Sequence, residues 1–192
     1  MRKLVLSVHT SLDGFVGGPN GEINWIKVDE ELFNFTKTLT DEADIAFYGR
    51  VTYQIMDSYW PTAADKPTAT KHDKEHSHWY NNVTKIVLSK TLRQKELKNT
   101  IIVSDNILKN ISAIKQEQGK NILMFGSPSA AQSLMQHNLI DEYWLFVNPL
   151  ILGNGIPLFK NVNNIIELKL STTKVFSSGV IGLHYNKRDS LP

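Results

Sequence analysis

The stretch Asn121–Met135, "NILMFGSPSAAQSLM", places four apolar residues directly before Gly126-Ser127 and a helical pattern directly after it. A short, uninterrupted apolar run bounded by glycine reads as a strand buried on both faces. Ala130, Ala131, Leu134 and Met135 recur at helical spacing on the far side of the turn. A buried strand that turns at once into a helix is the unit of an α/β sheet with parallel pairing. Gly126-Ser127 admits two roles. Gly-Ser caps a helix without any ligand. The same geometry also points free N–H groups at a phosphate, and glycine lets that phosphate approach the backbone.

The grammar repeats at "DIAFYGRVTYQIM", where a strand ends at Tyr48, Gly49 makes the turn, and Arg50 opens a helix with Thr52 in its first turn. Further strands are predicted at Lys3–His9, Ile45–Tyr48, Lys85–Ser89, Ile101–Val103, Ile122–Phe125 and Tyr143–Val147. Helices are predicted at Asp29–Leu39, Ile107–Gln118 and Ser127–His137. From Glu167 the helical signals stop, and Ser177-Ser178-Gly179 joins two strands in a hairpin. The fold class expected is therefore α/β, with a mixed, mostly parallel sheet and an antiparallel C-terminal hairpin, in one domain over residues 1–192. "PTAADKPTATKHDK", Pro61–Lys74, reads as a mobile surface loop or lid.

Composition narrows the function. A net charge of +2 offers no basic field for nucleic acid. No apolar run is long enough to span a bilayer. There is no cysteine, which removes thiolate metal sites and thiol nucleophiles. The N-terminus reads as a strand rather than a signal peptide, which points to the cytoplasm. His72 and His76 have i,i+4 spacing, yet their neighbours supply no further ligand, so no metal site is expected. Asp141-Glu142 directly precedes a strand and suits a capping or turn role. There is no G-x-G-x-x-G after the first strand and no Walker loop. "TSLDGFVGGPNGEINW" is dense in turn residues and ends at Trp25. It suits a loop folded over a flat ring, and equally a surface loop pinned by a core tryptophan.

The motifs "SLDGFVGGPNGEINW", "YGRVTY", "VLSKTL", "FGSPSAAQSLM" and "LIDEYWLFVNPLILGNGIPLF", in this order, resemble the C-terminal reductase domain of the bacterial riboflavin deaminase-reductase (RibD). The chain looks like a stand-alone, dihydrofolate reductase-like protein of that superfamily. The resemblance implies a three-layer α/β/α fold and NADPH lying across the carboxyl ends of the strands. It implies that Gly126, Ser127, Ser129 and Ala130 cradle the pyrophosphate. Gly49, Arg50 and Thr52 take the other turn, and Ser89 and Thr91 the adenosine side. Thr10 and Trp25 match positions near the nicotinamide, with Gly153 and Gly155 in the loop beside it. The implied activity is hydride transfer to a small heterocycle in a homodimer paired through the "DEYWLFVNPLILG" region. Asp13, Glu30 and Glu31 are candidate proton donors. Phe33, Tyr53, Trp60 and Phe159 are candidates for the substrate wall.

The departures from the family are specific. The deaminase half is absent. The helix Asp29–Leu39 has no arginine to hold a ribose phosphate. Met124-Phe125 stands where the family has an acid, and Met56, beside Asp57, where it has an aspartate. The alternatives are a true dihydrofolate or antibiotic-related reductase, and a nucleotide-binding sensor that kept the cleft and lost the chemistry.

Overall fold

The computed structural model describes residues 1–93 and 97–188. The last four residues of the span expected for the domain lie outside the described residues. In chain order the elements are β1 (Leu4–Thr10), β2 (Phe15–Gly17), α1 (Glu30–Asp41), β3 (Ala43–Gly49) and α2 (Arg50–Ala63). Then come α3 (Lys71–Asn82), β4 (Thr84–Leu88), β5 (Thr100–Val103), α4 (Ile107–Gln116) and β6 (Asn121–Phe125). They are followed by α5 (Pro128–Gln136), β7 (Glu142–Val147), β8 (Ile156–Pro157), β9 (Leu168–Val175) and β10 (Ile181–Lys187).

Eight strands form one sheet in the order β5-β4-β3-β6-β1-β7-β10-β9. Pairing is parallel from β5 through to β7 and antiparallel from β7 to β9. The mixed, mostly parallel sheet with its C-terminal hairpin is the one the sequence predicts. β2 and β8 pair separately as a short antiparallel ribbon, which the turn-rich sequence does not announce.

Alternation along β6 decides the layers. Ile122 and Met124 pack with Ile111 of α4 and with Ala130, Ala131 and Leu134 of α5. Leu123 faces the other way, toward Leu32 of α1, with Phe125 and Trp79 of α3 beside it. Tyr48, Tyr53 of α2 and Tyr80 of α3 fill the rest of that second face. Helices therefore cover both faces of the central parallel strands, which is why these strands read as unbroken apolar runs. Among the described residues no helix is long and apolar enough to cross a membrane.

Of the segment 61–74, only residues 64–70 form a loop. α2 continues through Pro61 to Ala63, and α3 begins at Lys71. Pro61 is accommodated in the last turn, where α2 is already ending. α3 escapes a search for aliphatic periodicity because it packs through Trp79 and Tyr80, with His76 half-buried beside them. Its start was nonetheless written in the sequence. The Thr70 hydroxyl accepts from the Asp73 N–H, and the Asp73 carboxylate accepts from the Thr70 N–H, a capping box.

Candidate functional site

Sheet topology opens a crevice at one place. β3 leads through α2 and α3 to β4, away from β1, whereas β6 leads through α5 to β7, beyond β1. Connections that part in opposite directions leave a gap at the carboxyl ends of the strands between them. Both glycine turns meet there. The Gly49 N–H donates to the Ser127 Oγ at 2.7 Å, so the two turns are tied to each other. A Cβ on Gly49 would lie 3.1 Å from the Ser127 Cβ and 3.4 Å from the Ala130 Cβ. Glycine at 49 thus lets α5 approach the end of β3.

The backbone of the second turn is unusual. Gly126 and Ser127 are both left-handed, with φ of 51° and 56°. A Cβ on Gly126 would meet nothing within 4 Å, so the space before this backbone is open. α5 then starts with Pro128 and has no side-chain cap, leaving the N–H groups of Ser129 and Ala130 without intrahelical acceptors. α2 has no side-chain cap either, and the N–H groups of Arg50, Val51 and Thr52 are left the same way. α4 is also uncapped, whereas Asp29 caps α1 and Thr70 caps α3. Arg50 is exposed, and among the described residues its guanidinium donates only to Gln54 on its own helix. Open backbone, two free helix starts and one permanent cation fit a dinucleotide diphosphate.

The other residues expected at the cofactor are less uniform. The Ser127 hydroxyl oxygen accepts from the Gly49 N–H and so holds the turns together, and its O–H has no acceptor among the described residues. The Ser89 Oγ accepts from the N–H groups of Thr91 and Leu92, closing its own turn at the end of β4. Thr91 is exposed beside it. Thr10 ends β1 and is buried, with its carbonyl accepting from Asn148. The indole N–H of Trp25 donates to the Glu22 carbonyl within the N-terminal loop. Gly153 is left-handed, and Gly155 passes so close to the Gly17 carbonyl that a Cβ there would sit 2.3 Å from it. All of these lie toward the carboxyl ends of the parallel strands.

The three candidate acids differ in their surroundings. Asp13 accepts from the N–H groups of Leu152 and Gly153, at 3.1 and 2.8 Å. The Ser11 hydroxyl and these N–H groups hold its carboxyl below the usual carboxylate range, the opposite of what a proton donor requires. Asp13 is a clasp between two loops. Glu31 accepts from the Ser177 N–H and lies 3.6 Å from Lys174. Glu30 makes no side-chain hydrogen bond among the described residues. Asp29, just before them, is pulled down to about 2 by the Leu32 N–H it caps and by Ser178 and Ser177.

The four residues expected at the substrate wall divide. Tyr53 is buried among Tyr48, Tyr80 and Val87 and belongs to the core. Phe159 is 52% exposed, because its neighbour Leu158 turns inward on the α5 side instead. Phe33 and Trp60 do come together, through a residue the sequence offered only as a metal candidate. His72 stacks on Phe33 with ring centroids 3.9 Å apart, and Trp60 lies 5.7 Å from it. His76 continues the cluster against Trp60, Trp79 and Phe125. Burial pushes His76 down to about 3, so this cluster is neutral and aromatic.

Asn148 is the residue that sequence reasoning missed. It is fully buried, and its Oδ1 accepts from the Lys27 N–H. Its Nδ2 donates to the carbonyls of Thr10 and Phe146 and reaches the His9 Nδ1 at 3.2 Å. The only signal was its place before Pro149 at the end of an apolar strand. A separate hollow of about 180 Å³ lies between α1, β7 and β10, lined by Glu42, Glu142, Trp144 and His184. It is at the amino-terminal end of the parallel strands and shares no residue with the crevice.

Comparison with known proteins places this architecture. The uncharacterized Bacillus subtilis (strain 168) protein YyaP is 35% identical over 186 residues, covering 96% of this chain and 95% of its own. A Shewanella sp. PV-4 protein, named as a candidate in riboflavin biosynthesis, superposes with a TM-score of 0.75 at 20% identity, over 98% of this chain and 100% of its own. Dihydrofolate reductase from Enterococcus faecalis, solved with NADP(H) and RAB-propyl, superposes with a TM-score of 0.64 at 14% identity, over 97% of each chain. These two structures establish the dihydrofolate reductase-like fold. A model of the RibD C-terminal domain matches residues 2–181, a span that holds both glycine turns and the whole parallel sheet, and the chain belongs to that family.

Proposed function

We propose that the chain is an NADPH-dependent reductase that transfers a hydride to a small heterocycle. The observation that carries this is the pair of uncapped helix starts, tied through Ser127 and Gly49, with Arg50 beside them. The N–H groups of Arg50, Thr52, Ser129 and Ala130 and the Arg50 guanidinium would bind the diphosphate, with Ser89 and Thr91 toward the adenosine. Thr10, Trp25, Gly153 and Gly155 would flank the nicotinamide. Bound there, NADPH supplies a hydride from C4 of its nicotinamide. The chain's own residues orient the two rings and exclude water. Phe33, His72 and Trp60 form an aromatic wall for the second ring. Glu30 is the acid left uncommitted for delivering a proton. α1 and α3 carry no arginine, which argues against a phosphoribosyl pyrimidine and for an unphosphorylated ring of pterin or pyrimidine type.

A sensor reading has one observation in its favour. Two carboxyls at the crevice, Asp13 and Asp29, are held low by the N–H and hydroxyl groups around them. Fluorescence titration with NADPH and NADH, beside Arg50→Ala, tests the cofactor site. Tighter NADPH binding, weakened at least tenfold in Arg50→Ala, is expected from a lost charge-assisted contact of about 1.5–3 kcal/mol. No binding of either nucleotide refutes the reductase. NADPH binding without oxidation by dihydrofolate or the riboflavin pyrimidine leaves the sensor.

The homodimer is proposed through a sheet face. Val147, Ile181 and Val175 align across β7, β10 and β9, and Val175 is 70% exposed. Ile151 and Leu170 are also exposed apolar side chains, and a second copy would cover the face that Val175 and Ile181 present.

A further inference from the structure

His9 is the next-to-last residue of β1, the central strand, and its side chain lies on the α1 side of the sheet with Val5 and Phe146. It stacks on Phe146 with ring centroids 5.1 Å apart. Its Nδ1 faces the Asn148 Nδ2, and the orientation of that amide is fixed by the Lys27 N–H on Oδ1. The amide nitrogen only donates, its two hydrogens shared among the Thr10 and Phe146 carbonyls and His9, and a proton on the His9 Nδ1 would oppose them, so Nδ1 is the bare nitrogen and Nε2 carries the proton. Burial lowers the histidine to about 4, which keeps this tautomer neutral.

Among the described residues Nε2 has no hydrogen-bond partner, yet it is not one of the polar atoms sealed from solvent. An N–H donor has thus been set by a buried asparagine, locked against an aromatic ring, and left open one residue before Thr10. Ser7, two residues back on the same side, likewise has a hydroxyl with no partner and is not sealed. The neighbouring start of α1 carries Asp29, Glu30 and Glu31, and Lys174 is engaged by Glu31. These acids disfavour an anionic ligand.

We propose that His9 contacts the substrate directly, its Nε2–H donating to a carbonyl oxygen or ring nitrogen of a flat, unphosphorylated heterocycle, a role that rests on the reductase reading above. Asn148 is then a positioning residue that acts through His9. Selectivity follows from the donor: a ring presenting a protonated nitrogen at that point leaves two donors face to face and is rejected.

The test uses the full chain saturated with NADP+, with 6-methylpterin, 5,6-diaminouracil and uridine 5′-monophosphate as probes. Calorimetry gives each affinity for the wild type, His9→Ala and His9→Gln. The expected result is binding of at least one unphosphorylated ring, weakened about tenfold in His9→Ala and largely retained in His9→Gln, which keeps a donor. NADP+ affinity should stay within about twofold in all three, since the diphosphate contacts are elsewhere. In 15N-histidine spectra of the wild type, the His9 Nε2 resonance should move when the ring is added. Equal ring affinity in wild type and His9→Ala, or an unmoved Nε2 resonance with ring bound, overturns the role of His9. Failure of both rings to bind the NADP+ complex overturns the substrate class and the role together. Failure of NADP+ itself to bind removes the reductase reading first, and the two failures are read separately.

Discussion

Ser127→Ala removes the only side-chain acceptor of the Gly49 N–H while leaving the chain its Cβ and its left-handed backbone. The bond is short and both residues are buried. A buried N–H left without a partner costs about 1–3 kcal/mol. Taking about 2 kcal/mol, a domain of this size loses about 4–8 °C in melting temperature. Ser127→Gly loses the same bond but relieves a left-handed φ that costs a side chain about 1–2 kcal/mol. The glycine variant should therefore be the more stable of the two by about 1 kcal/mol, after the extra freedom of its unfolded chain is set against the relief. Urea unfolding followed by tryptophan fluorescence measures both, and equal m-values are required for the comparison. NADPH affinity should fall in the alanine variant, because the two turns no longer hold each other. Refutation would be an alanine variant within about 0.5 kcal/mol of wild type, the ordinary range for an inert surface change. An alanine variant more stable than the glycine variant would refute the backbone part alone.

His76 is held neutral, so the unfolded chain binds a proton that the folded chain refuses. That contribution is intact above about pH 6.5 and is lost as pH falls toward about 3. His76→Phe should flatten the urea midpoint between pH 7.5 and 4.5, and an unchanged slope would count against the buried aromatic cluster. Gly155→Ala drives a methyl into the Gly17 carbonyl, and overpacking of that kind costs about 1–3 kcal/mol. Limited proteolysis should then cut within residues 150–158 sooner than in wild type. Ile181→Lys with Val175→Lys places two charges on the uncovered sheet face. Sedimentation should show a dimer in the wild type and a monomer in the double variant, and a wild-type monomer at tens of micromolar removes the dimer.

The central strands were legible because they are buried on both faces, and β3 and β6 in addition run into glycine. "NILMF" and "DIAFYG" carry that signal within a few residues, and observed strand ends lie within two residues of those expected. The two glycine turns were legible for the same reason. α3 was not, since it packs with Trp79, Tyr80 and His76 in place of the aliphatic residues that mark a periodic face. Side-chain direction was the other limit. Asp13 and Ser89 are polar residues at strand ends, where sequence cannot tell a side chain aimed at a ligand from one turned back on its own loop. Asn148 and His9 carried no motif at all, for their roles exist only where β1 and β7 lie side by side.

The N-terminal loop and the loop after β7 are joined at several points, among them the β2·β8 pairing, the Leu12 N–H on the Leu150 carbonyl, the Asp13 clasp on Leu152 and Gly153, and the contact of Gly155 with Gly17. Mechanically they are one piece hung from the ends of β1 and β7. Any movement that admits a flat ring past Thr10 must swing both loops together about Ser11–Leu12 and Asn148–Leu150. An insertion in either loop is therefore felt by the other, although some 140 residues separate them in the chain.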